Sequence, residues 1–267
     1  MEHARPGETP RHAVVDGAVL GNAEKAKALV ACVNVAALAT LHGGAPFVSH
    51  VVPVLEPDGS VLFLFSGLAE HTRALAVDSR ASLLCTESLL GPGDPSALAR
   101  VTLVGRCDPV PDNDRVSCTE RHVARRPHAA HVASFADFRP YRFSVQEEAG
   151  VRWIGGFGRA AWIDTAAYGA AKVDPIAAAR EAAVGHAEAA REVIVGALAA
   201  KLHALDGALA DPDRVRAAQI LAVDGKGIDL LVRLPEPRAI RLVFVASVSA
   251  LGDLPAALAS LGGSAYG

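Results

Sequence analysis

Cysteine, net charge and long apolar runs are all in short supply in this 267-residue sequence. The four cysteines, Cys32, Cys85, Cys107 and Cys118, show no CxxC spacing, and the amino terminus MEHARPGETPRH lacks the apolar core of a secretory signal. Both features point to a reducing, cytoplasmic setting. With 26 basic against 29 acidic side chains, the net charge of −3 supplies no broad field to hold nucleic acid or an anionic membrane. The longest apolar run, Ala28 to Leu41, has Asn34 and Thr40 inside it and is too short and too polar to span a bilayer. Also missing are a GxxxxGKS/T phosphate loop, an HExxH metal motif and a GxSxG nucleophile elbow. What is present is 51% hydrophobic and 21% charged, a globular composition long enough for one large or two modest domains.

Residues 1–21 carry Pro, Gly, Arg and His without hydrophobic period and read as a flexible tail outside the fold. Asn22 is an N-cap for a helix over Glu24–Ala31, which leads into a first strand over Val33–Leu41. His42-Gly43-Gly44 is a turn, and the strand Val48–Val54 is interrupted at Pro53, as at an edge or bulge. Pro57-Asp58-Gly59 then predicts a hairpin that brings Val61–Phe65 back antiparallel. A short helix over Ser66–Val77, with Ser66 or Thr72 as its cap, precedes strands at Ala81–Thr86, Val101–Cys107, Tyr141–Val145 and Val151–Ile154. Asp112–Ala133 is helical in composition and rich in Arg and His. Because the turns are too brief for βαβ crossovers, residues 22–165 read as an antiparallel barrel. Beyond it, Asp174-Pro175 starts alanine-rich helices with an apolar stripe of Ile194, Leu198, Leu202 and Leu205, broken at Gly185 or Gly196. Strands at Ile220–Val223, Ile228–Leu234 and Ile240–Val245, then a helix on Leu254, Leu258 and Leu261, complete a smaller α+β domain over residues 172–264.

Gly156-Phe157-Gly158-Arg159-Ala160-Ala161 fits the GxGxxA dinucleotide fingerprint. That fingerprint needs a βαβ setting, and after a series of antiparallel strands the segment reads as a glycine-rich bend in a barrel strand. His122, His128 and His131 form the densest histidine group, but Arg121, Arg125 and Arg126 among them would repel a cation, so no metal is expected. The segment reads as a solvated basic helix or as an attractor for phosphate or propionate groups. Ser66, His71, Thr72 and Arg73 follow a buried strand, where hydroxyls and a guanidinium at a helix start can cradle an anion. The alternative there is an N-cap followed by an exposed turn.

Several segments in order, among them Pro46-Phe47-Val48-Ser49, Ser66-Gly67-Leu68-Ala69-Glu70-His71-Thr72-Arg73, Arg100-Val101-Thr102-Leu103-Val104-Gly105 and Gly155-Gly156-Phe157-Gly158-Arg159-Ala160, carry a resemblance. Over residues 24–163 the chain resembles the HugZ-type haem-utilisation proteins of the pyridoxamine-phosphate-oxidase-like split barrels. The resemblance implies a β-rich α+β fold, an antiparallel split β-barrel with short helices followed by a smaller α+β domain. It also implies a homodimer with an FMN or haem site in each of two clefts shared by the subunits. Carried over residue by residue, the cofactor-binding positions are Ser49, Ser66, His71, Thr72, Arg73, Arg100 and Thr102, with Trp153 or Trp162 lining the ring pocket. Arg159 and the Arg121–Arg126 segment would meet haem propionates. Two departures stand out: Pro53-Val54-Leu55 lies where a basic FMN-binding residue is expected, and Gly196-Ala197-Leu198-Ala199-Ala200-Lys201 replaces the family's HMNxDH motif. No histidine follows His203, so an iron ligand would come from the barrel, a partner or water. The implied functions are a small FMN-dependent oxidoreductase, a haem-binding or haem-degrading protein, and a non-enzymatic regulator that binds other proteins.

Overall fold

The computed structural model describes residues 13–14, 19–90, 95–147, 150–155, 160–205, 207–234 and 236–262. Two compact units divide them: Asn22–Lys172 makes one, and Val173 onward makes the other together with the described residues that precede Asn22. The first element in chain order, β1 (Ala13–Val14), therefore belongs to the second unit.

In the first unit, α1 (Asn22–Cys32) leads to β2 (Ala36–His42), and Gly43 and Gly44 turn the chain into β3 (Ala45–Val51). Their φ angles of +57° and +82° suit the right-handed twist of the flanking strands, which explains a glycine pair at this hairpin. Pro53 has no N–H to give to a ladder. There the strand changes partner: β3 pairs with β2, whereas β4 (Val54–Leu55) pairs with β5 (Val61–Ser66). In the turn between β4 and β5, Asp58 Oδ1 accepts from the Ser60 N–H at 2.9 Å and from Ser60 Oγ at 2.7 Å.

The unit continues through α2 (Glu70–Val77), β6 (Arg80–Thr86), β7 (Arg100–Pro109), α3 (Arg115–Arg125), α4 (Ala130–Ala133), β8 (Phe138–Val145), β9 (Val151–Ile154), β10 (Ala160–Ile163) and α5 (Thr165–Ala170). Every pairing is antiparallel, in the order β3-β2-β6-β7-β8-β5-β4, with β9 and β10 branching from β7. Because β3 and β4 are the halves of one bent strand, the two ends of that order meet and the sheet closes. The split lies at β7. One edge of β7 pairs with β6 over Arg100–Arg106, while the other pairs with β9 over Arg100–Leu103 and with β8 from Gly105. A Cβ at Gly105 would run into the Ser144 carbonyl, so glycine permits the close approach at this fork. Leu38, Val61, Phe63, Leu83, Val101, Leu103 and Phe143 fill the interior, as the alternation of their strands predicts. Trp153 joins that core and does not line an open ring pocket.

Two local expectations are corrected. Ala69, not Ser66 or Thr72, holds the cap position of α2, and no side chain caps it. A strand unmarked in the sequence, β10, pairs with β9 as a hairpin, which leaves the GxGxxA segment without a βαβ setting. Arg159 and the rest of residues 156–159 lie outside the described residues.

The second unit runs α6 (Pro175–Ala178), α7 (Arg180–Ala189), α8 (Arg191–Leu205), α9 (Pro212–Arg216), β11 (Gln219–Asp224), β12 (Gly227–Leu234), β13 (Glu236–Val243) and α10 (Leu254–Ser260). Its sheet has the order β1-β13-β12-β11. Asp174 caps α6 as expected, its Oδ1 accepting from the Ile176 and Ala177 N–H groups at 3.0 and 2.8 Å. The helical breaks fall at Ala179 and Ala190, while Gly185 and Gly196 stay inside α7 and α8. Ile194, Leu198 and Leu202 pack with Ile228, Leu230 and Val232, and Leu205 faces solvent. The tail expectation is also revised: β1 pairs in parallel with β13, and Leu20 is only 4% exposed. Composition alone saw no period in this segment, whereas its hydrogen bonds come from the edge of a strand more than 200 residues later. On the sheet, Arg241 is 1% exposed, with Nη1 donating to Asp229 Oδ1 at 2.9 Å and Nη2 to Asp224 Oδ1 at 2.6 Å.

Candidate functional site

Ser66, His71, Thr72 and Arg73 gather where β5 ends and α2 begins. The Ser66 hydroxyl donates to Asp137 Oδ2 at 2.5 Å and accepts from the Leu68 N–H at 3.1 Å, so it braces the connecting loop. The His71 ring stands edge-on to Phe65 with centroids 4.4 Å apart. Its Nε2 is buried without a partner, and burial lowers the imidazole pKa. Thr72 is buried, and its Oγ1 likewise has no hydrogen-bond partner. Arg73 is exposed, but its Nη1 lies 3.2 Å from Glu70 Oε2 in the same helical turn. Glu70 thus answers both the guanidinium and the positive end of the helix, leaving the cradle less attractive to an anion than the residue types suggest.

Arg100 and Thr102 lie elsewhere, at the end of the β6–β7 ladder remote from the Arg80–Arg106 pair where α2 hands over to β6. Arg100 Nη1 donates to the carbonyls of Ser96 and Leu98 at 3.3 and 3.2 Å. Ser49 pairs across β2 with the buried Leu38 and so belongs to the inner face, whereas Arg100 and Thr102 alternate with buried Val101 and Leu103 and face outward. Among the described residues no hydrogen bond or ion pair joins the α2 group to Ser49, Arg100 or Thr102. Within one chain the α2 group and the Arg100–Thr102 pair are therefore separate.

The basic segment is largely committed to the fold. Arg126 Nη2 donates to Val33 O at 2.7 Å and Pro53 O at 3.0 Å, and Nη1 to Asn34 Oδ1 at 3.2 Å. Arg121 Nη2 pairs with Glu56 Oε2 at 3.0 Å and also donates to Cys118 Sγ at 3.1 Å. These two arginines brace the barrel, in contrast to the expected meeting with propionates. His122 is buried with Nε2 3.4 Å from Val52 O, and burial, then Arg126 and His128, push its pKa down. Among the described residues no group of three His, Cys, Asp or Glu is assembled as for a metal ion.

The register exposes a feature that motif reading missed. His50, Ala37, Leu84, Thr102, Arg152 and Trp162 are successive cross-strand partners from β3 to β10 and share the outward face. Val48, Ala39, Ser82 and Val104 form the next row on the same face. Val48 is 62% and Leu84 39% exposed, so apolar side chains stand in water here. The alternation Val151-Arg152-Trp153 carried part of this signal, but the row exists only once strand order is known.

The bent closing strand and the fork at β7 define a split-barrel protein followed by an α+β unit. Residues 18–170 match the CREG beta-barrel family, and the chain belongs to that family. It is similar to the Mycobacterium smegmatis heme binding protein, with 28% identity and a TM-score of 0.70, over 93% of this chain and 99% of that one. It is also 33% identical over 138 residues to the Arabidopsis thaliana protein named Non-canonical heme oxygenase HOZ, chloroplastic. That match spans 50% of this chain and 40% of the relative's length. Among the described residues no helix is long and apolar enough to cross a membrane.

Proposed function

We propose that this protein binds haem, working as a pair of copies that meet through the outward sheet face. The observation that carries this reading is the likeness to the Mycobacterium smegmatis heme binding protein, which extends over 93% of this chain and so is not confined to the barrel. The local chemistry agrees with it. A flavin phosphate would compete with Glu70 for Arg73 and with two backbone carbonyls for Arg100. A tetrapyrrole asks instead for an apolar surface and cations at its rim, and the outward face supplies exposed Val48 and Leu84 beside partly exposed Arg152. The Nε2 of His71 is sealed from solvent, whereas His50 on the outward face is exposed. Bound haem would supply the iron that reacts with dioxygen, and the protein's part is to hold the ring and limit water. Likeness to the plant protein named as a heme oxygenase extends the proposal to oxidative haem breakdown.

The flavin reading rests on the unpartnered Thr72 hydroxyl beside Ser66 at the start of α2. Absorbance titrations of the full chain with haemin and with FMN separate the two. A saturable Soret shift at micromolar haemin, without flavin bands surviving gel filtration from an FMN mixture, is the expected result. Retained flavin bands and no Soret shift would replace haem with FMN, and failure of both ligands would point to the protein-binding role. Loss of the Soret band when ascorbate is added in air is expected if breakdown follows binding.

A further inference from the structure

Trp162 is the one exposed large aromatic of the outward row. The chain has two tryptophans, of which Trp153 is buried in the core and Trp162 is 55% exposed. The Arg152 guanidinium lies over the Trp162 ring, 5.3 Å from its centroid. A Cβ added at Gly150, whose φ is +66°, would lie 3.7 Å from the indole Cε3. Arg73, Arg80, Arg121, Arg139 and Arg241 each face a carboxylate, but among the described residues none pairs with Arg152. Its position is set by the ring while its N–H donors stay available. Directly across from Arg152 in β7 stands Thr102, an outward hydroxyl of partial exposure. Adjacent strands lie about 4.8 Å apart, so hydroxyl, guanidinium and indole follow one another across the outward face.

We infer that Thr102, Arg152 and Trp162 form the shelf that receives a planar conjugated anion, with the indole stacking on the ring and Arg152 pairing with its carboxylate or phosphate. This inference rests on the proposed planar-cofactor function and assigns the residues that recognise the ligand. An indole left in water gains when a flat apolar ring covers it, and a stacked guanidinium offers parallel donors to an anion at that ring's edge.

The test uses haemin and FMN on wild-type, Trp162→Leu, Trp162→Phe and Arg152→Gln full-length protein. Haemin dimethyl ester and riboflavin serve as forms lacking the free carboxylates or the phosphate. Trp162→Leu is expected to weaken the ligand that wild type binds by roughly tenfold or more, with Trp162→Phe recovering most of the loss. Arg152→Gln is expected to weaken the anionic ligand by roughly tenfold and to leave its uncharged counterpart unchanged. Sedimentation velocity on each variant checks assembly. If wild type binds a ligand and Trp162→Leu binds it equally well, the shelf is wrong while the cofactor reading stands. A variant that merely separates the copies, with affinity per copy intact, likewise overturns the shelf in favour of a subunit contact. Failure of wild type to bind either ligand overturns both.

Discussion

Arg126 ties the end of α1 to the bend at Pro53 through the Val33 and Pro53 carbonyls and the Asn34 side chain. Arg126→Ala would leave these carbonyls without a charged donor, and a loss of about 2–3 kcal/mol in urea unfolding is expected. Arg126→Lys should recover little, because an ammonium cannot reproduce the fork. The sequence showed a basic cluster but not its partners, which lie 73 and 93 residues away and are mostly backbone oxygens that no side-chain pattern encodes. A pH dependence also belongs to single residues. Burial holds His71 and His122 below the ordinary histidine pKa in the folded state, so the unfolded chain takes up protons first as pH falls. Their contribution to stability is whole above a pH of about 6.5 and is lost as pH drops from there towards the folded values. Urea midpoints should fall between pH 7.5 and 5.5, and His122→Gln should flatten part of that slope.

Turn chemistry made some elements legible from local sequence. Gly43-Gly44, Asp58 with Ser60, and Asp174-Pro175 each act through their own backbone, and each is where the residues predicted. β10 and β1 were not legible because each depends on a strand beside it, and β1 borrows its hydrogen bonds from β13. Glycine-based helix breaks failed for a related reason: Gly185 and Gly196 cost about 1 kcal/mol each, a penalty outweighed where neighbouring alanines and leucines are packed. In the second sheet, Arg241→Met would take the guanidinium away from buried Asp224 and Asp229, and a loss of about 3–5 kcal/mol is expected in the same unfolding assay. At the fork, Gly105→Ala should destabilise the barrel by about 1–3 kcal/mol, as overpacking does, because its Cβ would meet backbone that cannot swing aside.

At the scale of the whole molecule, the outward face decides how copies associate. Leu84→Glu places a charge in the middle of the row and is expected to shift sedimentation towards a single copy without lowering the thermal midpoint, since Leu84 lies outside the core. A solitary wild-type chain in that measurement would remove the paired arrangement from the proposed function. Of the expected site, the start of α2 was visible as a motif, but its separation from Arg100 and Thr102 was not, because strand order rather than residue type sets that distance. β7 carries a consequence for synthesis as well. It pairs with β6, which leaves the ribosome before it, and with β8 and β9, which leave after it. A nascent chain that has emerged from the ribosome only as far as residue 130 would therefore present β7 with one edge bare. It should be cut readily by protease and held by chaperones until residues 138–154 emerge to cover that edge.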